Sequence, residues 1–472
     1  MIKLLLAFVL LLSLLACGKN DDSPSSLESG TRPVVNYSLE GLSDKLIVKN
    51  EQTHAPMDFI SQELTMSFNP VSQKVTGESR VTFKLKIGGR PYFELKATPK
   101  NIRLNSSAIT VQSINDPDGQ NQSYWSLNQE LPPGSLHIVE FQYELPSGRV
   151  SFTDGGVRFL TDMTDLSGKF FEYWGPTGFE EDTFKMDMVL KVENSDSNHV
   201  LRTNGTITSS DSEVWNVSFP DYYSKSSFDI HLTNQTTLPG KKFVYQGIEK
   251  EISVEVYGIS TTLVNSAVAE LPKLFKEFEN DYGAYPHDKF LAYMNDRSGG
   301  MEYVAATITS LASLDHELLH SWFARSVIPA DGRSGWIDEA MASWRDYGYT
   351  RAKTTLQRTP TNLANYSPFR KTTPKNSYVD GRGLFAELDL KFVPLGGLKP
   401  VMKAFFDNYK NSVVNNEEFW KFLESYSNMD LEDFKLRYTM AEAEEAENAR
   451  PVEVTPSRHP TPLTREEILR LR

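Results

Sequence analysis

The 472-residue sequence is long enough for two or three domains, and its 39% hydrophobic and 24% charged content is typical of soluble globular proteins. Its formal net charge is −13, and it contains no long block of Lys or Arg. Nucleic-acid binding depends on a basic surface, so this charge balance argues against a nucleic-acid partner.

The N-terminus has the pattern of a bacterial lipoprotein signal. Lys3 precedes an apolar run from Leu4 to Leu15, which is too short for a stable membrane-spanning helix. The run ends in Leu-Leu-Ala-Cys, which resembles a lipobox, and Cys17 is the only cysteine in the sequence. We therefore predict that residues 1–17 are a lipoprotein signal peptide and that acyl chains on Cys17 attach the protein to a lipid bilayer. A plain secretory signal that ends near a cysteine is the alternative.

The residues after Cys17 indicate a flexible tether and a place in the cell envelope. Residues 18–35 are rich in Ser, Asp, Asn and Gly, as in a solvated linker. Gly18 stands where an inner-membrane retention signal of the enterobacterial kind carries Asp. We therefore expect a lipid-anchored protein of the outer membrane if the host has two membranes.

Residues 36–240 show the period-two alternation of half-buried β-strands. The apolar members of four such runs are Val81, Phe83, Leu85 and Ile87; Val139, Phe141, Tyr143 and Leu145; Met186, Met188, Leu190 and Val192; and Phe228, Ile230 and Leu232. Turn-rich connections, such as residues 116–119 and 132–134, separate strands of this kind. The pattern predicts an N-terminal β domain, an antiparallel sandwich or saddle.

The pattern changes after residue 240 to a mixture of strand and helix. A strand is predicted around residues 252–257, followed by a helix over about residues 262–282 that Pro272 is expected to break or kink. Later helices are predicted around residues 400–410, 416–426 and 431–447. The predicted fold class is therefore α+β and multi-domain, with a second domain over residues 241–447. A Pro-rich tail over residues 448–472, with a short terminal helix, follows it.

Residues 315–322 carry the pattern of a zinc site. His316, Glu317 and His320 form a His-Glu-x-x-His motif within a helical segment. Positions i and i+4 share one face of a helix, so both imidazoles can reach one ion, and Glu317 can take a proton from its bound water. Two histidines at this spacing can also be plain helix surface, and the five-residue pattern arises by chance in about one such chain in a hundred.

Glu339 supplies a third ligand and argues against chance. It follows His320 after eighteen residues, within a second helical run, and residues 329–335 give the chain room to turn back. Two imidazoles and one carboxylate leave a fourth position for water, as in a catalytic zinc site, and these donors suit zinc better than magnesium or calcium. We predict one zinc ion per chain. Asp338, beside the third ligand, is the candidate to orient a ligating histidine.

The spacing of these ligands resembles the signature of the aminopeptidase N family of gluzincin zinc metallopeptidases. Upstream, Gly299-Gly300-Met301-Glu302-Tyr303 resembles that family's Gly-x-Met-Glu-Asn motif, with Tyr in place of Asn. The resemblance implies that Glu302 binds the free α-amino group of a peptide substrate, while the backbone of Gly299, Gly300 and Met301 pairs with the peptide. A glycine turn before an edge strand is the alternative for this segment. The glycyl-aminopeptidase group, whose motif also begins with paired glycines, is a near alternative family.

A further resemblance lies downstream, in Tyr378-Val379-Asp380-Gly381, which is similar to the family's Tyr-x-x-Gly motif. It implies that Tyr378 donates a hydrogen bond to the oxyanion of the tetrahedral intermediate. The alternative is a partly buried tyrosine in a loop. The resemblance covers roughly residues 36–438 and implies a β domain followed by a thermolysin-like α/β catalytic domain.

The predicted function is that of a zinc-dependent aminopeptidase, a hydrolase that removes N-terminal residues from peptides with Glu317 as general base. An endopeptidase on the same site is one alternative, because the family's second amine-binding residue has no clear match, Asp165 being the nearest acidic candidate. A membrane-tethered binding or assembly lipoprotein that keeps the gluzincin fold without turnover is the other. The complete set of three ligands and a base favours the enzyme.

Overall fold

The computed structural model describes residues 44–439, apart from residues 120–122, 147, 149, 162–170, 355–360, 365 and 371–372. The predicted signal peptide with Cys17, the tether, Asp165 and the Pro-rich tail lie outside the described residues. Within the described part of the chain, no helix combines the length and the apolar character that crossing a membrane requires.

The first half of the described chain consists of strands in three sheets. In chain order the strands are β1 (Ile47–Lys49), β2 (Gln52–Pro56), β3 (Asp58–Asn69), β4 (Lys74–Lys84), β5 (Arg90–Glu94), β6 (Lys100–Leu104), β7 (Ser107–Ala108), β8 (Val111–Ile114), β9 (Tyr124–Leu127), β10 (His137–Glu144), β11 (Ser151–Thr153), β12 (Gly156–Leu160), β13 (Lys185–Val192), β14 (Val200–Thr203), β15 (Thr206–Asp211), β16 (Val214–Phe219) and β17 (Ile230–Thr233). The sheet orders are β1-β2-β5-β9-β8, β15-β16-β13-β3-β4-β10-β6-β7 and β11-β12-β17-β14.

These sheets are mostly antiparallel, as predicted for the N-terminal β domain, but two strand pairs are parallel. Strand β2 pairs in parallel with β5, and β3 with β13. Parallel neighbours require a long connection, which the chain between Asn69 and Lys185 supplies for the second pair. Along β13 buried residues alternate with more exposed ones, so the period-two pattern reports burial on one face and not the direction of the neighbour.

The second half combines the remaining strands with all seven helices of the described chain. The strands are β18 (Gly240–Gln246), β19 (Glu251–Gly258), β20 (Lys289–Met294), β21 (Gly300–Tyr303), β22 (Ala306–Thr309), β23 (Val327–Pro329) and β24 (Ser412–Val414). The helices are α1 (Thr261–Tyr282), α2 (Leu314–Leu319), α3 (Trp336–Asp346), α4 (Lys375–Lys391), α5 (Leu398–Tyr409), α6 (Asn416–Ser427) and α7 (Glu432–Tyr438). Five strands form one sheet in the order β18-β19-β20-β22-β21, and β23 pairs with β24. The fold is α+β.

Helix α1 continues through Pro272, so the predicted break at this residue is wrong. A proline inside a helix costs about 3 kcal/mol, because it removes one backbone hydrogen bond and crowds the preceding turn. Leu271, Leu274 and Phe275 are buried around it, and burying such a side chain fully contributes about 1.5–3 kcal/mol. Packing of the helix on its sheet therefore outweighs the local penalty.

Two large hydrophobic clusters form the interior. One contains buried residues between positions 55 and 232, and the other contains residues between Ile252 and Tyr438. Val304 and Ala305 also belong to the first cluster, although they join β21 to β22 within the C-terminal sheet. The β21–β22 hairpin is therefore packed against the N-terminal strands, which limits its movement relative to them.

Candidate active site

Four elements bring the residues of the predicted site together. Helix α2 carries His316 and Glu317, and His320 lies at its C-terminal end. Helix α3 carries Glu339, strand β21 carries Glu302, and helix α4 carries Tyr378. The leucines of α2 are buried in the second hydrophobic cluster, so the rotation of this helix about its axis is determined by packing.

The side chains of His316, His320 and Glu339 converge on one point. Their candidate ligand atoms all lie within 4.8 Å of one another, and all three residues are buried. The Nε2 atoms of His316 and His320 lie 3.2 Å and 3.6 Å from Oε2 of Glu339. Two imidazole nitrogens and one carboxylate are the donors of a catalytic zinc site, so these residues fit a zinc ion.

The second nitrogen of each imidazole is held by the protein. His316 Nδ1 lies 2.7 Å from Oδ2 of Asp346, and His320 Nδ1 lies 3.0 Å from the backbone oxygen of Phe323, to which it donates. Such contacts leave Nε2 of both rings for a metal ion and hold the rings in orientation.

Asp346, not Asp338, orients a histidine of this group. Asp338 lies 4.0 Å from Nδ1 of His320, too far for a hydrogen bond, so the orienting role predicted for it is wrong. Asp346 lies seven residues after Glu339, two helical turns further along the same face of α3. That spacing was the sequence signal for its role.

Glu317 has a buried carboxylate whose two oxygens find no hydrogen-bond partner among the described residues. Burial raises the pKa of Glu317 to about 8, although the imidazoles of His316 and His320 oppose the shift. A Cβ atom on Gly300 would lie 2.5 Å from Cγ of Glu317, so β21 can approach α2 this closely only with glycine there. A buried carboxylate without a partner is costly, and such groups are typical of functional sites.

The site around His316 and His320 contains more carboxylates than cations, and this excess shifts several pKa values. Although burial opposes both shifts, Glu302 and Glu339 raise the pKa of His320 to about 10, and hydrogen bonds from the two histidines lower the pKa of Glu339. Burial, followed by the charge of Glu339, raises the pKa of Asp338 to about 8. The histidines are thus drawn towards the cationic form by surrounding carboxylates, and a divalent cation would relieve the same excess of negative charge.

Glu302 lies on β21, at the edge of its sheet, and beside His316, His320 and Glu339. Its carboxylate, with Glu317 and His320, forms a second group whose candidate ligand atoms lie within 4.8 Å of one another. Gly299 has a φ of +85° and makes the turn into β21, which is the edge strand. The backbone of this segment is therefore a glycine turn followed by an edge strand, which was the alternative interpretation. The side chain of Glu302 nevertheless reaches the site.

Tyr378 lies in the first turn of α4 and not in a loop. Its hydroxyl donates to Oε1 of Glu339 at 2.6 Å, and its ring lies nearly parallel to that of His316. Burial, followed by the charge of Glu339, raises the pKa of Tyr378 well above its usual 10. A Cβ atom on Gly381 would lie 2.8 Å from Cβ of Ala340, so this glycine lets α4 pack closely on α3. The Tyr-x-x-Gly segment therefore places a neutral phenol beside the metal-binding group.

No protein-family model matches the amino-acid sequence, and a search of curated proteins finds no match either. Solved structures do match the fold. An M1 zinc metallopeptidase from Deinococcus radiodurans aligns at a TM-score of 0.58 and 13% identity, over 78% of this chain and 91% of that one. Legionella pneumophila aminopeptidase A in complex with aspartic acid aligns at 0.62 and 14%, over 81% and 49%. Native yeast LTA4 hydrolase aligns at 0.59 and 12%, over 81% and 68%. The chain has the fold of the M1 zinc metallopeptidases.

Proposed function

We propose that this protein is a zinc-dependent peptidase and, within that class, an aminopeptidase. The observation that carries the proposal is the convergence of His316, His320 and Glu339 on one point, with the unpartnered carboxylate of Glu317 beside it. The fold shared with M1 zinc metallopeptidases supports it. A binding protein without turnover would not need to keep a buried, unpartnered base next to a complete ligand set.

The residues of the site divide the chemistry between them. A zinc ion held by His316, His320 and Glu339 would polarise the scissile carbonyl and lower the pKa of water towards about 7. Glu317 takes the proton of the attacking water and returns it to the leaving amine. Tyr378, a neutral donor whose hydroxyl rests on Glu339, donates to the oxyanion of the tetrahedral intermediate.

Glu302 supports the narrower proposal of an aminopeptidase. Its carboxylate lies close enough to Glu317 and His320 for a peptide whose scissile bond is at the metal to place its terminal ammonium on it. Acetylation of the peptide removes that charge. Losing one partner of a buried ion pair costs about 3–5 kcal/mol, which is some hundreds-fold in rate when the carboxylate has no other partner. Glu302 has a cationic neighbour, Arg325, so we expect a smaller preference of about tenfold.

The test is hydrolysis of matched peptides of graded length, with free or N-acetylated termini, by the zinc-loaded and the chelator-treated protein. We expect hydrolysis only with zinc, with kcat/KM about tenfold higher for free termini. The Glu302→Gln variant should bind zinc and lose the preference. Equal cleavage of blocked and free peptides would point to an endopeptidase, and a zinc-loaded protein that cleaves neither would support the non-catalytic alternative.

We also propose that the protein is attached to the cell envelope through acyl chains on Cys17. The support is the Leu-Leu-Ala-Cys sequence after a short apolar run. The Cys17→Ser variant should appear in the soluble fraction after cell lysis, whereas the wild type should require detergent. A serine variant as firmly membrane-bound as the wild type would contradict the proposal.

A further inference from the structure

Arg325 is a buried cation beside the proposed amine-binding residue, and no motif in the sequence analysis includes it. Its Nη2 atom lies 2.9 Å from Oε1 of Glu302 and 3.0 Å from the backbone oxygen of the same residue, and its Nη1 donates to Oγ of Ser226 at 2.7 Å. The side chains of Arg325 and Glu302 are 9% and 14% exposed. The site therefore contains a second charge within contact distance of the carboxylate that would receive the substrate.

The backbone is built to place Arg325 there. Its N–H donates to the backbone oxygen of His320, so the chain turns back to the C-terminal end of α2 at Arg325. The preceding residue, Ala324, has a φ of +127°, a conformation that costs energy for any residue with a Cβ atom. The chain therefore adopts an unfavourable conformation immediately before a buried cation that lies at the metal-binding group.

Most of the hydrogen bonds that hold the guanidinium do not involve the carboxylate of Glu302. Only one of its three hydrogen bonds above involves the carboxylate of Glu302; the other two join it to a backbone oxygen and to Ser226, on the N-terminal half of the chain. An arginine is also charged at every accessible pH. A peptide ammonium that approaches Glu302 therefore shares the carboxylate with a fixed positive charge and does not displace it.

This arrangement weakens the attraction between Glu302 and an ammonium group. An ammonium on the other carboxylate oxygen would lie about 3–4 Å from the negative charge and about 5–6 Å from the guanidinium, and the energy between charges falls as the inverse of distance. Repulsion from Arg325 would then offset roughly half or more of the attraction. Glu302 is already paired with Arg325, so binding an N-acetylated peptide, which brings no cation, costs less free energy than it would beside an unpaired carboxylate.

We propose that Arg325 is a specificity-determining residue that lowers the selectivity of Glu302 for a free α-amine, so that the site also accepts N-acylated peptides. The proposal rests on the proposed function, because it requires Glu302 to face the N-terminus of the substrate. It goes beyond that function, because it assigns to Arg325 a reduction of the preference for peptides with free termini over N-acylated peptides.

The test is the ratio of kcat/KM for one peptide with a free terminus to that for its N-acetylated form. We expect a ratio of about ten for the wild type and of about a hundred or more for Arg325→Gln, whose amide can still donate hydrogen bonds but carries no charge. Arg325→Lys keeps the charge and should stay near the wild-type ratio. An unchanged or lower ratio in Arg325→Gln overturns the proposal, because a residue that only holds Glu302 in position would lower the ratio when it is lost.

A matched control is Arg437→Gln, which removes a partly buried arginine that lies 3.1 Å from Glu387, outside the site. It should leave the ratio at its wild-type value. If Arg325→Gln does not fold, the wild type alone decides: a ratio of several hundred indicates an unopposed carboxylate and overturns the proposal, and a ratio near ten supports it.

A binding measurement separates this proposal from the proposed function. The two peptides are titrated calorimetrically into zinc-loaded Glu317→Gln protein, with and without Arg325→Gln. If the wild type cleaves neither peptide but Arg325→Gln raises the ratio of affinities about tenfold, the peptidase proposal fails and the role of Arg325 stands. If neither peptide binds to any variant, both proposals fail.

Discussion

Among the described residues, the buried charged groups near Glu181 and near Glu317 have different partners. In the first half of the chain Lys45 pairs with Glu181, and Lys225 lies 3.3 Å from Glu94, so each carboxylate has an ammonium beside it; we call these four residues the paired cluster. In the metal-binding group of His316, His320 and Glu339, by contrast, the neighbouring Glu317 is as deeply buried and has no partner for either oxygen among the described residues.

The difference separates a structural use of buried charge from a chemical one. A buried ion pair is complete within the protein, and removing one member leaves an uncompensated charge that destabilises the fold. A buried carboxylate without a partner already costs stability in the folded state, and that cost is tolerated where the group must accept a proton or face a cation. Substitutions in the two clusters should therefore affect different quantities.

The largest effect is expected for Glu317→Gln, which should lower kcat/KM by about 10³–10⁴-fold because it removes the proton acceptor. Zinc content should stay near one ion per chain, and the free energy of unfolding should not fall, because no partner of Glu317 is left uncompensated. The measurements are peptide hydrolysis, metal analysis and chemical denaturation. Hydrolysis near the wild-type rate, in a preparation free of other peptidases, would refute the mechanism.

Lys45→Met should lower stability without lowering activity, which is the reverse of the effect expected for Glu317→Gln. It leaves Glu181 buried without its ammonium and should lower the free energy of unfolding by about 3–5 kcal/mol, while zinc content and kcat of the folded protein stay unchanged. Burial raises the pKa of Glu181 above its ordinary 4.5, and Lys45 opposes that shift. A raised carboxyl pKa costs stability above the folded-state value and nothing below about 4.5.

The pH dependence sharpens this test. Without Lys45 the cost of ionising Glu181 grows, so the Lys45→Met variant should regain stability relative to the wild type as the pH falls towards 4.5. Denaturation curves at several pH values measure the difference. A deficit that does not depend on pH would mean that Lys45 acts through packing and not through its charge.

Tyr378→Phe should lower kcat by about a hundredfold, because it removes one donor to the oxyanion. KM and zinc content should change little, because Glu339 keeps its carboxylate and loses only the hydrogen bond that the Tyr378 hydroxyl donates to it. Steady-state kinetics with separate kcat and KM values decide the matter. A change confined to KM would assign Tyr378 to substrate binding.

The smallest effect is expected for Asp346→Asn, which should weaken zinc binding by about 10–100-fold because it removes the carboxylate that orients His316. Asp338→Asn is the matched control on the same helix; its carboxylate makes no hydrogen bond to His320, and zinc affinity should change by less than about threefold. Competition with a chelator of known affinity measures both. Equal losses in the two variants would indicate a general effect of acidic charge on α3.

The sequence alone determined features that depend on local geometry. The placement of His316 and His320 on one helical face follows from the helical repeat, and the helical run around Glu339 was also visible in the sequence. The structure brings these three side chains together. The alternation in β13 likewise marks a strand with one buried face. Such patterns depend on residues that are close together in the sequence, so they can be recognised without knowing how the elements pack.

The tertiary structure decided what depends on packing between distant elements. It decided that α1 continues through Pro272, that β3 and β13 run parallel, and that Asp346 and not Asp338 holds a histidine. It also decided that Arg325 pairs with Glu302 while bound to Ser226, although these residues belong to three separate segments of the chain. A local pattern cannot show which segments meet, because that choice minimises the free energy of the whole interior and not that of any one element.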